Sequence, residues 1–506
     1  NDLDDFKDVY EYCSTSESFV VSNPDISASF SRKALEYLVK AIYQLKLGYV
    51  PRQATLYELV DNHVFASFIS DRETMTSIHF IRKIGNRAVH NEKVTKTQAM
   101  ACLENLHFFV GEVLISLDVI KDYDAFDRNI TKPQEQIKVI PNKPVEINEQ
   151  VISKYSDKIN AGTVLKTKRS MPEAETRKLY IDCWLKEAGW DVLSVENQRM
   201  PCKAGIEIRV ENMPNDKGFG FCDYVLFGRD GKPLAVVEAK KKDVDPIKGE
   251  HQAQLYADCL EKEIGYRPVV YYTNGYETRI IEKGYPARTI YGFHTLEELE
   301  LLVQKRENRQ ITDLAVDSNI AGRPYQKMAI TSVCEHLNAK HRKALIVMAT
   351  GTGKTRTAIA LVELLKRNNF IKNVLFLADR VELVKQAKKN FVKLLPHESV
   401  CVLSDKLAKK ELDARIVFST YQTMINYIDK EDKKFGIGRF DLIIVDEAHR
   451  SIFNKYRAIF LYFDSLLVGL TATPRSEVDR STYTMFGLED GYPNFHYELD
   501  EAVKDG

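Results

Sequence analysis

Two groups of residues in this chain have the types and spacing of reactive centres. The first is Ala349-Thr-Gly-Thr-Gly-Lys-Thr355, set between an apolar run, Ala344-Leu-Ile-Val-Met348, and a helical stretch beginning at Thr357. Thr350, Gly351, Thr352 and Gly353 form a loop whose backbone can wrap closely around phosphate oxygens. Its N–H groups and the helix N-terminus supply positive potential, Lys354 reaches the β- and γ-phosphates, and the Thr355 hydroxyl is placed to ligate Mg2+. Met348 stands where the G-x-x-x-x-G-K-T pattern has its first glycine. About ninety residues on, a second apolar run, Leu442-Ile-Ile-Val445, ends in Asp446-Glu447-Ala448-His449. A buried parallel strand that delivers acids at its C-terminal end suits nucleotide hydrolysis: Asp446 to hold the Mg2+ that bridges the β- and γ-phosphates, Glu447 to polarise the attacking water. A third run, Leu466-Leu-Val-Gly-Leu470, ends in Thr471-Ala-Thr473-Pro474, hydroxyls where they can couple nucleotide state to movement. Gln326, in Arg323-Pro-Tyr-Gln326, sits where an adenine-recognition element is expected, so ATP is the expected nucleotide.

The second group is Asp223 followed by Glu238-Ala239-Lys240. Two β-rich runs, Phe221–Phe227 and Leu234–Glu238, flank Gly228-Arg-Asp-Gly-Lys-Pro233, and Asp230-Gly231 is a strong hairpin signal. With that pair at the turn centre, residues whose numbers sum to 461 face each other, as Asp223 and Glu238 do. Opposed residues point to one face with Cβ atoms about 5 Å apart, and Lys240 shares that face by the period of two. Opposed carboxylates destabilise a sheet unless something neutralises them, and a divalent cation is the obvious candidate. Mg2+ held by Asp223 and Glu238 would activate a water for attack on phosphate, with Lys240 positioning that water or offsetting charge. Gln252 and Tyr256, i and i+4 on a following helical stretch, are neighbours on one helix face.

The motor motifs over residues 323 to 474 resemble those of superfamily 2 helicases and translocases of the DEAH-box type. The Asp223/Glu238/Lys240 set resembles the PD-(D/E)xK nuclease core, with Cys222 in place of the proline. Gln252-x-x-x-Tyr256 after it looks like the RecB-type nuclease subfamily, in which this pair supports the acidic residues or the nucleic acid. Glu175, leading into the helix with Trp184, resembles that subfamily's upstream helical acid, though a capping or surface glutamate reads the same. Nuclease first and DEAH motor second is the layout of the restriction (R) subunit of type I restriction enzymes, over roughly two-thirds of the chain. The resemblance implies a type I site-specific deoxyribonuclease: ATP-driven translocation of double-stranded DNA and Mg2+-dependent cleavage, in a complex with methyltransferase and specificity subunits.

Composition narrows this only slightly. A chain of 506 residues has room for about three domains. Lys+Arg and Asp+Glu both number 72, so DNA affinity has to come from local patches, such as Lys240–Lys242 or Lys406 with Lys409 and Lys410. Eight cysteines without a C-x-x-C pair point to a reducing compartment and no structural zinc. No signal peptide or membrane-length apolar stretch is evident, so the expected location is the cytoplasm.

The expected fold is multidomain: an all-α N-terminal domain over 1–120, a linker over 121–150, an α/β PD-(D/E)xK domain over 151–306, and an α/β RecA-like P-loop domain with a parallel sheet over 307–506. The stripes Ala34, Leu35, Leu38, Val39, Ile42 and Leu103, Leu106, Phe109, Val110 carry the helical reading. Residues 81 to 92 resemble the DUF4145 family of small helical domains attached to restriction and defence proteins. Arg87 and His90 invite comparison with helical ribonucleases that use an Arg/His pair, but their spacing is too short for that pattern, so a structural or partner-binding role is the expectation. A superfamily 2 motor needs two RecA-like lobes, and only one set of motifs is present. The expectation is therefore a fragment of a larger polypeptide that binds ATP weakly and hydrolyses it poorly, because loss of the second lobe's arginine finger costs about 10³ to 10⁵ in rate. Two other readings remain open: a superfamily 2 helicase whose upstream domain only grips nucleic acid, and a scaffold switched by nucleotide.

Overall fold

The computed structural model describes residues 4–51, 54–60, 63–69, 72–89, 94–127, 145–158, 173–239, 246–273, 277–282, 284–306, 310–404, 412–429, 434–447, 452–473 and 480–504. The chain packs as two compact units, one holding Asn1–Cys183 and the other nearly everything from Trp184 onward.

The first unit is helical, as expected. Its helices are α1 (Lys7–Phe19), α2 (Pro24–Leu47), α3 (Leu56–Val60), α4 (His63–Phe68), α5 (Arg72–Val89), α6 (Lys96–Ser116), α7 (Glu149–Ser153) and α8 (Glu173–Glu187), the last of which belongs to this unit as far as Cys183. Local signals set the ends of the long ones. Asn23 accepts a hydrogen bond from the Ile26 N–H with Pro24 in the first turn of α2, Gly48 ends that helix at φ 75°, and Thr95 with Gln98 forms a capping box on α6. The stripe Ala34, Leu35, Leu38, Val39 and Ile42 is buried against Leu106 and Phe109. Val145 and Ile152 join the same core, and Lys40 and Gln44 bond the Val145 carbonyl (2.7 Å) and Ser153 (3.1 Å). Residues read as linker and as the start of the next domain are thus drawn into the helical core by two apolar side chains. Among the described residues α6 alone is long and apolar enough to cross a membrane, and most of it is buried in this unit.

The second unit contains two sheets. The first has seven strands in sequential order: β1 (Asp191–Glu196), β2 (Lys203–Glu211), β3 (Phe219–Phe227), β4 (Pro233–Ala239), β5 (Val269–Thr273), β6 (Thr278–Ile281) and β7 (Arg288–Ile290). Helix α9 (Pro246–Ile264) joins the parallel pair β4 and β5, and α10 (Leu296–Arg306) follows β7. Gly231, at φ 76°, turns the β3–β4 hairpin with its N–H on the Gly228 carbonyl. The register is Tyr224 opposite Val237, Val225 opposite Val236 and Leu226 opposite Ala235, the sum of 461 expected from the turn, with one shift next to the loop. Ala253, Tyr256, Ala257 and Leu260 of α9 pack on Ile208, Val225 and Val236.

The second sheet is wholly parallel, in the order β10-β11-β9-β12-β13-β8-β14. Its elements in chain order are α11 (Pro324–Asn338), β8 (Lys343–Met348), α12 (Lys354–Arg367), β9 (Val374–Ala378), α13 (Val381–Leu394), β10 (Val400–Val402), β11 (Ile416–Thr420), α14 (Tyr421–Asp429), β12 (Leu442–Asp446), α15 (Ile452–Tyr462), β13 (Leu466–Thr471), α16 (Arg480–Phe486), β14 (Phe495–Tyr497) and α17 (Leu499–Lys504). Ala344–Met348 and Val374–Ala378 are buried throughout, which is why these strands read as unbroken apolar runs.

A buried ionic cluster joins the two sheets at the end where β8 and β13 begin. Asp464 accepts hydrogen bonds from Arg288 of β7 (2.7 and 2.6 Å) and from Arg342 (2.8 Å), and His294 lies 3.5 Å away with its other ring nitrogen 2.7 Å from the Tyr271 hydroxyl. Burial alone would raise the Asp464 pKa, but Arg342 and Arg288 hold it well below the usual carboxylate range. Lys305 pairs with Asp441 nearby, and Gly436 and Gly438 approach Glu298 and His294 so closely that a Cβ at either would collide. Removing one partner of such a cluster leaves buried charge uncompensated, at a cost of about 3 to 5 kcal/mol. Asp464→Ala should therefore lower the stability of this unit by that amount in urea unfolding at neutral pH. A loss under about 1 kcal/mol, the value of a surface pair, would contradict the cluster's role.

Candidate active sites

Strand β8 ends at Met348, and residues 349–353 form the loop into α12. Gly351 and Gly353 take φ of 83° and 89°, which other residues adopt only under strain, and a Cβ on Gly353 would also meet the Gln326 amide. The loop is braced from α11. Gln326 donates to the Thr352 carbonyl at 2.9 Å, the Tyr325 hydroxyl donates to the same oxygen at 3.0 Å, and the Thr352 hydroxyl bonds the Ala349 carbonyl at 2.7 Å. Thr350 is exposed, Lys354 and Thr355 are half-buried in the first turn of α12, and the Lys354 ammonium lies 3.4 Å from the Met348 carbonyl.

Parallel register brings the strand-end groups to this loop. Asp446 pairs with Leu470, and Thr471 pairs with Val347 of β8. Burial pushes Asp446 up to about 6, the Glu447 charge adds to this, and Lys354 draws it back. Glu447 adopts φ 58°, with its N–H on an Asp446 carboxylate oxygen at 3.1 Å. Left-handed backbone in a glutamate at a strand tip is strain held by its surroundings, as functional sites often show. Thr471 is fully buried and its hydroxyl accepts from the Thr473 N–H at 3.1 Å.

In the first sheet, Asp223 and Glu238 follow directly on the paired residues Tyr224 and Val237 of β3 and β4. Asp223 caps the neighbouring strand, accepting from the Ala239 N–H at 2.6 Å, and Glu238 is buried. Their charges, after burial itself, raise the Cys222 thiol far above its ordinary pKa, so it stays neutral. Gln252 donates to the Tyr256 hydroxyl at 3.1 Å, and that hydroxyl donates to the Phe221 carbonyl at 2.7 Å. Burial is the main reason the Tyr256 phenol is pushed up to about 12 and remains a donor at working pH. The Gln–Tyr pair therefore holds the strand two residues from Asp223, and Gly220 leaves room for the Tyr256 ring. Two carboxylates beside a neutral thiol form a hard oxygen site, which suits Mg2+ better than a soft metal. Among the described residues no group of three or more His, Cys, Asp and Glu forms a ready-made metal cluster.

Glu175 lies in α8 with its side chain outside the described residues, and Lys240, the lysines at 241, 242, 406, 409 and 410, His90, Ala448, His449 and Pro474 also lie outside them. Sequence reasoning passed over Tyr325 and Tyr497, whose rings stack at 3.9 Å beside the loop, and Glu250 of α9, bonded by the hydroxyl of Tyr272 at 3.1 Å, the residue that pairs with Glu238 across β4 and β5. Tyr325 stood next to Gln326 in the same motif. Nothing local marked Tyr497, which arrives through the pairing of β14 with β8.

A parallel sheet with a phosphate loop after β8 and acids at the tip of β12 defines a P-loop motor lobe of the helicase-like kind. The family described as ResIII, type III restriction enzyme, res subunit, matches residues 319–476. The endonuclease subunit of the type I restriction enzyme EcoKI from Escherichia coli (strain K12) is 28% identical over 441 residues, covering 71% of this chain and 36% of that protein. The EcoAI endonuclease subunit from Escherichia coli is 30% identical over 342 residues, covering 63% and 40%. A solved fragment of a type I HsdR subunit from Vibrio vulnificus YJ016 matches at 28% identity over 66% of this chain and 61% of that one, with a TM-score of 0.29. The chain is an R-subunit relative of the type I restriction enzymes, and it spans well under half the length of the curated relatives it matches.

The raised Asp446 pKa has a consequence for stability. Its folded value of about 6 lies above the ordinary 3.8, so folding takes up a proton between these values and the unliganded protein loses stability as pH rises through that window. Asp446→Asn should stabilise the nucleotide-free protein at pH ~7.5 by about 2 to 3 kcal/mol and give no gain below pH ~4. Urea unfolding at both pH values reads this. An equal effect at the two would show that Asp446 is not held out of water.

Proposed function

We propose that this chain supplies the DNA-cleaving and ATP-dependent DNA-translocating parts of a type I restriction-modification complex. The observation that carries the reading is the presence, in one chain, of two separate acid pairs set by strands, Asp223 with Glu238 on the β3–β4 hairpin and Asp446 with Glu447 at the tip of β12 beside a phosphate loop. In the motor, the loop N–H groups and Lys354 bind the triphosphate, Thr355 and Asp446 are the residues that would hold Mg2+, Glu447 orients water for attack on the γ-phosphate, and Gln326 ties the adenine side to the loop. Thr471 and Thr473, one strand over from Asp446, are placed to relay nucleotide state. In the nuclease, Asp223 and Glu238 would hold Mg2+, Lys240 would orient the attacking water, and Gln252 with Tyr256 fixes the strand that carries Asp223. Mg2+, when bound, lowers the pKa of water and neutralises charge on the phosphate. Glu175 is assigned a supporting part on the nuclease side.

The proposed substrates are ATP and double-stranded DNA. The proposed partners are methyltransferase and specificity subunits, in line with the type I enzymes to which the relatives' names refer, and the proposed location is the cytoplasm. The domain limits near 120, 150 and 306 are part of the same reading.

Cleavage of supercoiled and single-stranded DNA with Mg2+ or Mn2+ tests it. Glu238→Ala and Lys240→Ala should each lower cutting by more than about 100-fold, the scale for losing groups that hold or orient a metal's chemistry. Lys354→Ala should leave metal-dependent cutting by this chain intact. Cutting that survives Glu238→Ala would move the chemistry elsewhere and favour a helicase whose upstream domain only grips nucleic acid.

A further inference from the structure

One row of paired residues crosses the first sheet from the acid pair outward. Glu238 of β4 pairs with Tyr272 of β5, and Tyr272 pairs with Arg279 of β6. Residues paired across strands point to one face of a sheet. The row two residues away, Val236 with Val270 with Ile281, identifies that face, because all three pack into the core under α9. Glu238, Tyr272 and Arg279 therefore stand together on the α9 side. At about 4.8 Å per strand, the Arg279 backbone lies about 10 Å from that of Glu238, a gap that an arginine side chain can largely cross. The Arg279 guanidinium carbon is 5.5 Å from the centre of the Tyr272 ring, over the residue that separates it from Glu238.

This guanidinium has no acceptor in the fold. Its Nε is buried without a hydrogen-bond partner, and among the described residues no carboxylate lies within ion-pair distance of it. Glu250, the acid that reaches this row from α9, is already engaged: its two oxygens accept from the Tyr272 hydroxyl and from the Gln254 amide, each at 3.1 Å. Other arginines of the same unit do have carboxylates, Arg288 and Arg342 on Asp464 and Arg267 on Asp258. A buried donor without an acceptor is a cost to folding that an arriving acceptor removes. A planar guanidinium laid on an aromatic ring presents its remaining donors as a fork, which matches the non-bridging oxygens of a phosphate. Paired carboxylates repel a polyanion, so a fixed cation on the same face is what a phosphate backbone needs in order to approach them.

We propose that Arg279, backed by the Tyr272 ring, binds a phosphate of the DNA strand to be cut and so places that strand against Asp223 and Glu238. This deepens the nuclease reading above and rests on it, and the test separates the two.

The first measurement is fluorescence anisotropy of the full chain with a labelled duplex of about 25 base pairs, without nucleotide or divalent cation, from about 50 to about 200 mM salt. Arg279→Gln should reduce the slope of log affinity against log salt by about 0.9, the value of one phosphate contact. Arg279→Lys keeps the charge and should keep the slope. The second is cutting of supercoiled DNA with Mg2+ or Mn2+, where kcat/KM should fall about 10- to 100-fold in Arg279→Gln, mainly through KM, and less in Arg279→Lys. An unchanged slope in Arg279→Gln overturns the proposal, and loss of cutting in Glu238→Ala would still uphold the acid pair. A Gln variant that is less stable in urea but keeps both slope and cutting gives Arg279 a packing role only, which also overturns it. A reduced slope with cutting that survives both Arg279→Gln and Glu238→Ala overturns the nuclease reading, and the placement of the strand with it. No duplex binding by the unmodified chain overturns the proposal outright.

Discussion

Strand register fixes which atoms meet at both candidate sites. In the β3–β4 hairpin, pairing of Tyr224 with Val237 sets Asp223 level with Glu238 and gives the Asp223 carboxylate the Ala239 N–H. A slip of one residue would send every side chain of β4 to the other face and separate the two acids. In the parallel sheet, pairing of Leu442–Asp446 with Leu466–Leu470, and of β13 with β8, puts Asp446, Thr471 and the phosphate loop along one edge.

Two buried carboxylates handle this cost differently. Asp446 is raised toward neutral pH by burial and by Glu447, a penalty that a cation relieves. Asp464 is held charged by Arg342 and Arg288, and it joins the two sheets at the edge away from the phosphate loop. One carboxylate thus carries a burial cost that its protein neighbours do not offset, and the other is fully engaged within the protein. The contrast lies in their neighbours more than in their depth.

Much of this was legible in the sequence. Unbroken apolar runs marked the parallel strands because both their faces are covered, and the Asp230-Gly231 turn set the hairpin register because Gly231 adopts φ 76°. Gln252 and Tyr256 were legible as one helix face, and the structure adds what the hydroxyl holds, the Phe221 carbonyl. The residues that escaped notice act across long sequence separations. Tyr497 reaches Tyr325 only through β14 pairing, Arg288 and Asp464 lie 176 residues apart, and Val145 and Ile152 return to a core built from α2 and α6.

The most direct measurement of the central claim, that register builds a divalent-cation site from Asp223 and Glu238, is anomalous diffraction from crystals of this chain soaked in Mn2+ and a non-hydrolysable ATP analogue. The expected result is a manganese peak in contact with both carboxylates, separate from a second at Asp446. A filled Asp446 site with no density between Asp223 and Glu238 would contradict it.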